Sequence, residues 1–252
     1  MEAKPVTAGL VVIGNELLSG RTRDANTQFI GAELNDLGIR LAEVRVVADV
    51  CEAIVGAVDA LRKEYDYVFV TGGLGPTHDD ITAQSIAKAF AVELVCDPEA
   101  HARLERHYGS ERFNAARKRM AYIPEGATLI DNPVSAAPGF RIENVFVMAG
   151  IPRIMQAMFA SVRHRLSGGA PLLSRTIGTD LGEGTLAAEL GRVQEAFADI
   201  QIGSYPSMGS GRSGVRIVLR SVSEDRLEVA VGAVLAMAAR LGGQAEELDI
   251  TG

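Results

Sequence analysis

From residue 6 to about residue 165, continuous apolar runs of strand length alternate with segments of helical period, and this alternation constrains the chain more than anything else in it. Parallel strands need long crossovers, and crossover helices cover both faces of a sheet. The order therefore predicts βαβ units around a largely parallel sheet. Val6 to Ile13 reads as a buried strand. Asp24 to Leu37 places Ile30, Leu34 and Leu37 on one helical face and stops at Gly38, a residue free to take the left-handed conformation that closes a helix. Residues 42 to 46 alternate and so read as a strand near an edge, whereas Asp66 to Thr71 has the unbroken apolar centre of an interior strand. Between them Cys51 to Glu64 carries Ile54, Val58 and Leu61 on one face. A helix from Asp80 to Phe90 is expected next, then one capped by Asp97 and opened by Pro98. A strand from Asn144 to Ala149 follows, and a helix runs from Pro152 towards Leu166.

Beyond Leu166 the pattern changes. Ser167 to Pro171 has the composition of a linker, and after it come a strand, a helix from Gly184 to Phe197, two strands joined by a Gly/Ser-rich turn and a final helix. The expectation is a larger α/β domain over residues 1–166 and a smaller α+β domain over 171–252.

Charge narrows the partners. Lys and Arg number 18 against 21 Asp and Glu in residues 1 to 165, and 7 against 11 in the remainder, so neither part offers the basic face that a phosphate backbone requires. No nucleic-acid partner is expected. No apolar run approaches the ~20 residues of a membrane-spanning helix. The amino terminus lacks a basic lead and a cleavage site, and Cys51 and Cys96 form no CxxC pair. The expected setting is therefore the cytoplasm, without a membrane partner.

In a parallel α/β sheet, ligands sit at the carboxyl ends of the strands, and two segments place unusual residues there. Thr71-Gly72-Gly73-Leu74-Gly75-Pro76-Thr77-His78-Asp79-Asp80-Ile81-Thr82 follows the central strand. Its glycines allow close backbone approach, and their amides together with the following helix start would favour an anion. It has neither a Walker ending nor GxGxxG spacing. Asp79 and Asp80 beside a phosphate imply a divalent cation between them; read alone, they are equally ordinary helix-start residues. The second segment, Gly14-Asn15-Glu16-Leu17-Leu18-Ser19-Gly20, follows the first strand: Glu16 could share a metal with Asp80, and Asn15 could donate to a ligand oxygen. Asp49 ends another strand. His101 and His107 fit no zinc motif, and Ser204, Ser207, Ser210 and Ser213 form no nucleophile elbow. Arg112, Arg117, Lys118 and Arg119 read as a solvated helix face, from which one arginine could reach a phosphate.

These two segments, with Asn26, Asp49, Asn132-Pro133, Ala137-Pro138-Gly139-Phe140, Gly150-Ile151-Pro152 and Ile202-Gly203-Ser204-Tyr205-Pro206, resemble the MoaB/MogA-type molybdopterin-binding domain. The resemblance is closer still to the amino-terminal domain of CinA and to the FAD-hydrolysing domain of eukaryotic FAD synthase, and it covers nearly the whole chain. It implies a three-layer αβα, Rossmann-like domain followed by a small α+β domain. The family's functional aspartates fall on Asp49 and Asp80, and its glycine loop on Gly72, Gly73 and Gly75. Gly14, Asn15, Glu16, Asn26, Thr71, Pro76 and Thr77 complete the nucleotide or pterin site that it implies. Where CinA commonly reads Leu-Pro-Gly, this chain has Met148-Ala149-Gly150. The deamidase domain of CinA and the adenylyltransferase domain of FAD synthase have no counterpart in the sequence, so hydrolysis is expected and synthesis is not.

The leading expectation is metal-dependent hydrolysis of a dinucleotide pyrophosphate bond, as in ADP-ribose or FAD. Glu16 and Asp80 would hold Mg, Mn or Co, and Asp79 or Asp49 would orient the attacking water. The alternative is a molybdopterin-binding protein without hydrolase activity. A homodimer is expected on either reading.

Overall fold

The computed structural model describes residues 5–207 and 214–248. The chain divides into two compact units, Met1–Gly169 and Ala170–Gly252.

In the first unit β1 (Val6–Ile13) leads to a single turn, α1 (Asn15–Leu18), then α2 (Asn26–Asp36), β2 (Ile39–Val47), α3 (Cys51–Glu64), β3 (Tyr67–Thr71) and α4 (Thr82–Phe90). A smaller excursion follows: β4 (Leu94–Cys96), α5 (Pro98–Tyr108), α6 (Ala115–Lys118) and β5 (Tyr122–Pro124). The chain returns through β6 (Thr128–Ile130), β7 (Gly139–Ile142), β8 (Val145–Met148) and α7 (Pro152–Val162). Six strands form one sheet in the order β2-β1-β3-β8-β7-β6.

Alternation along each strand builds the three layers. Leu10, Val12, Phe69, Phe146 and Met148 pack on one face with Ile30 and Leu34 of α2 and with Met155, Met158 and Phe159 of α7. Val11, Ile13, Val68, Val70, Val145 and Val147 pack on the other with Ile54, Val58 and Leu61 of α3 and Ile86 of α4. Sheets covered on both sides need apolar residues on both faces of their inner strands, as Val68-Phe69-Val70 of β3 and all of β8 have.

Only β2, β1, β3 and β8 run parallel; β7 is antiparallel to both of its neighbours. Two residues, Glu143 and Asn144, separate β7 from β8, too few for a crossover and sufficient for a hairpin, and Glu143 takes the positive φ of 48° that such a turn uses. The excursion has its own small core of Ala100, Leu104, Phe113, Met120 and Ala121. As anticipated, Gly38 ends α2 with φ 67°, and Asp97 caps α5 by accepting from the Ala100 amide. α4 starts later than its sequence suggests. Ile81, not Asp79 or Asp80, is the residue before its first turn, so a ten-residue loop from Gly72 to Ile81 separates the strand from the helix.

The second unit contains β9 (Leu173–Thr179), α8 (Glu183–Ala196), β10 (Gln201–Ser207), β11 (Gly214–Ser221), α9 (Glu224–Arg240) and β12 (Ala245–Leu248). Its sheet, β10-β11-β9-β12, is antiparallel throughout, with Ile177, Ile217 and Leu219 packed against Leu186, Leu227, Val234 and Met237. The strand β12 is absent from the sequence reading because Ala-Glu-Glu-Leu lacks β-branched residues; Arg175 of β9 pairs with its Glu247. The Gly/Ser-rich turn, with Ser210 and Ser213, lies outside the described residues. No described helix is long and apolar enough to cross a membrane.

Candidate functional site

All four parallel strands end on one cavity of about 520 Å³. Ile13 and Gly14 at the end of β1, Asp49 after β2 and the Gly72-Gly73-Leu74-Gly75-Pro76 run after β3 line it. Glu16, Asp79 and Asp80 complete its acidic rim, and Ala149 to Pro152, after β8, line it beside the glycine loop.

Each glycine of the loop has a steric cause within the protein itself. A side chain on Gly72 would begin 2.2 Å from the Ile13 carbonyl oxygen, and its φ of 110° is one that L residues rarely adopt. On Gly73 a Cβ would lie 2.3 Å from Thr82 Oγ1, and on Gly75 it would lie 2.5 Å from Asp80 Oδ2. The loop is thus packed tightly against strand ends and its own return. The Gly72 amide donates to the Met148 carbonyl (3.1 Å), which keeps it in the sheet and out of any anion cradle. The amides of Gly73, Leu74 and Gly75 have no acceptor among the described residues. Three consecutive residues of the cavity lining thus carry unpaired amide donors, and α4 does not start among them as the sequence suggested.

The carboxylates are anchored by different means. Asp49 Oδ2 accepts from the Asn15 amide at 2.8 Å, joining the loops after β1 and β2. Asp80 Oδ2 accepts from both the amide (2.8 Å) and the hydroxyl of Thr77, closing a tight turn that returns the chain beneath Gly75. The Thr77 hydroxyl beside it, with its own amide, holds the Asp79 carboxyl below the usual carboxylate range. Glu16 folds back over Gly14, where a Cβ would lie 2.6 Å from its Oε1.

Of the residues read from the sequence, Gly14, Glu16, Asp49, Gly72, Gly73, Gly75, Pro76, Asp79 and Asp80 line this cavity. Asn26 and Thr71 line a smaller niche that also contains Glu16. Asn15 and Thr77 line neither; they serve as backbone donors to Asp49 and Asp80. Sequence reasoning missed Thr22, Tyr108 and Ser135 as lining residues. Asn132 also lines the cavity and organises its wall: its side chain donates to Ser135 Oγ and the Ala137 carbonyl and accepts from the Val134 and Ser135 amides. The Asn-Pro dipeptide was the available signal. Within the basic cluster, Arg117 packs on Tyr108 and Lys118 on Phe113, while Arg119 lines a neighbouring cavity of about 200 Å³ that shares Gly73, Gly75 and Asp80 with the first.

Among the described residues no three His, Cys, Asp or Glu side chains come together as a ready-made metal site. Glu16 and Asp80 both line the cavity and offer only carboxylate oxygens, the donor type that hard divalent cations take.

A three-layer αβα unit whose glycine loop and strand-end carboxylates share one cavity has the architecture of the α/β folds whose ligand sites lie at the carboxyl ends of the strands. Residues 9–167 match the family described as "Probable molybdopterin binding domain", and residues 171–241 match the middle domain of FAD synthase. The chain belongs to the molybdopterin-binding domain family. It is similar to a CinA-like protein of Salinibacter ruber, 36% identical over 241 residues that cover 90% of this chain and 57% of that one. It is also similar to a FAD synthase assigned as probable in Caenorhabditis briggsae, 30% identical over 251 residues that cover 88% and 47%. The chain thus spans about half the length of these two relatives. The solved structure of CinA from Thermoplasma acidophilum is 33% identical and superposes with a TM-score of 0.61, covering 64% of this chain and 98% of that one. The resemblance to the CinA and MoaB/MogA group and the αβα fold with a second, smaller domain are as expected from sequence.

Proposed function

We propose that the chain hydrolyses the pyrophosphate bond of a dinucleotide of the ADP-ribose or FAD type, with a divalent metal (Mg, Mn or Co), inside a cytoplasmic homodimer. The observation that carries this reading is that Gly73, Leu74 and Gly75, whose amides are free, and four carboxylate residues line one cavity. The amides bind one phosphate and hold it in place. Asp49 and Asp79 line the same cavity and would orient water and take up its proton. Glu16 and Asp80 would hold the metal, which when bound offsets the charge between carboxylates and phosphate and polarises the phosphorus centre. The match of residues 171–241 to a FAD synthase domain supports a flavin or adenine dinucleotide as substrate.

The second reading, molybdopterin binding without hydrolysis, is favoured by the family match and by the lack of a three-carboxylate cluster among the described residues. A product screen separates the two. Purified protein loaded with Mn, Mg or Co is incubated with ADP-ribose, FAD and NAD, with and without chelator. Release of AMP in metal and not in chelator is expected. No mononucleotide from any of the three overturns the hydrolase reading in favour of the binding one.

A further inference from the structure

Two buried polar atoms in the first unit have no partner: Asn26 Oδ1 and Thr71 Oγ1. Asn26 is 5% exposed and Thr71 fully buried, and leaving such groups unpaired is costly enough that folded proteins rarely do it. The orientation of the Asn26 amide is fixed, because its Nδ2 donates to the Gly150 carbonyl at 2.8 Å, and a flipped amide would set two oxygens against each other. Its start-of-helix position is fixed too, by the Asp24 carboxylate, which accepts from the Asn26 and Thr27 amides.

Asn26 and Thr71, the residues that carry both orphaned atoms, line one niche of about 50 Å³, and that niche shares Ile13, Glu16, Thr22, Gly150 and Pro152 with the large cavity. It is large enough for a heteroatom-bearing edge and too small for a whole ring system. Its chemistry is opposite to that of the glycine loop. The loop offers donors, whereas the niche offers an amide oxygen and a hydroxyl, with the carboxylates of Glu16 and Asp24 in its lining and the exposed Arg23 as the one cation there.

We propose that Asn26 Oδ1 and Thr71 Oγ1 are the acceptors for an N–H-bearing heterocycle edge, an exocyclic amine or ring N–H, of a ligand whose phosphate lies on the Gly73–Gly75 amides. The inference rests on the ligand-binding reading given above and adds which end of the ligand is read, and by which atoms. An anionic group is excluded from the niche by its two carboxylates.

Thr71→Val tests this cleanly, because the Thr71 hydroxyl makes no bond within the protein. Thermal unfolding without ligand should show the variant as stable as the parent chain or more so. Calorimetric affinity for ADP-ribose and for biopterin, each of which presents an amine edge, is then compared with affinity for inorganic pyrophosphate, which presents none. The expected result is a loss of about tenfold for the heterocyclic ligand that binds, no change for pyrophosphate, and recovery in Thr71→Ser. Unchanged affinity for the heterocyclic ligands, an equal loss for pyrophosphate, or a lowered melting temperature without ligand overturns the proposal. Biopterin binding without ADP-ribose binding, weakened by Thr71→Val, would count against the dinucleotide reading alone and support the niche.

Discussion

The backbone amide of Asn15 donates to Asp49 Oδ2 at 2.8 Å, so the carboxylate after β2 ties down the loop that carries Glu16 after β1. In the proposed hydrolysis Asp49 has a second task besides this tie, and substitutions can separate the two. Asp49→Asn retains an acceptor for the Asn15 amide and loses the charge. Turnover is expected to fall by ~100-fold or more, as when an acid or base is removed, with an unchanged melting temperature. Asp49→Ala loses the tie as well, worth roughly 1 kcal/mol. Steady-state rates and unfolding curves of the two variants check both statements, and equal turnover in parent and Asp49→Asn would remove Asp49 from the chemistry.

Asp80 gives a sharper case, because its position at a helix start was a sequence expectation that the structure corrects. The side chain closes a turn on Thr77 and caps nothing in α4. Asp80→Asn keeps one acceptor for the Thr77 amide and should unfold within ~1 kcal/mol of the parent, while metal-dependent turnover disappears. Mn titration followed by fluorescence or calorimetry should show weakened metal binding in Asp80→Asn and in Glu16→Gln. Equal parent rates in chelator and in metal would refute the metal-dependent mechanism.

The layers and strand ends were legible because their causes are local. The apolar runs at 6–13 and 66–71, the helical stripe of Ile54, Val58 and Leu61, and the stop at Gly38 each follow from period and backbone freedom. The glycine loop was legible as a place of close backbone approach but for an incomplete reason: Gly72 is required by the Ile13 carbonyl behind it and has its amide bound to Met148, contacts between strands that no local pattern encodes. The short β12 escaped for the same reason, since pairing with the distant β9 decides it. Asn26 was named from resemblance alone; its amide bond to Gly150, 124 residues away, is a tertiary fact.

Gly72 offers a test of that packing. Gly72→Ala places a methyl group 2.2 Å from the Ile13 carbonyl oxygen at φ 110°, so strain and overlap add. A loss of ~3 kcal/mol or more is expected. Gly20→Ala, also at positive φ but with nothing within 4 Å, should cost only the backbone strain of about 1 kcal/mol. Chemical denaturation of the two variants measures the difference, and equal midpoints would show that the loop moves freely away from β1.

The boundary between the units can be tested by truncation. Ser167 to Pro171 has a linker's composition, yet its first three residues are fastened to the first unit. The Ser167 amide donates to the Tyr67 hydroxyl at 3.1 Å, and the Gly169 amide donates to the Gly38 carbonyl at 3.0 Å. A Cβ on Gly168 would lie 1.8 Å from the Leu37 carbonyl oxygen. A chain ending at Gly169 is therefore expected to fold and to unfold cooperatively, and one ending at Leu166, which loses both hydrogen bonds, to be less stable by ~1 to 3 kcal/mol.

The last prediction concerns self-association. β2 is the edge of the six-stranded sheet, and Val44 and Val46, on one face of it, are 37% and 42% exposed. An alternating edge strand with exposed valines is a pairing hazard unless it is covered. In the proposed homodimer a second copy covers it. Light scattering at micromolar concentration should then give twice the 26.7 kDa chain mass, and Val46→Lys, which places a charge in the middle of that strip, should return the mass to one chain without lowering the melting temperature measured at high dilution. A parent protein already at one chain mass, or a Val46→Lys variant that stays at two, would place the contact elsewhere or remove it.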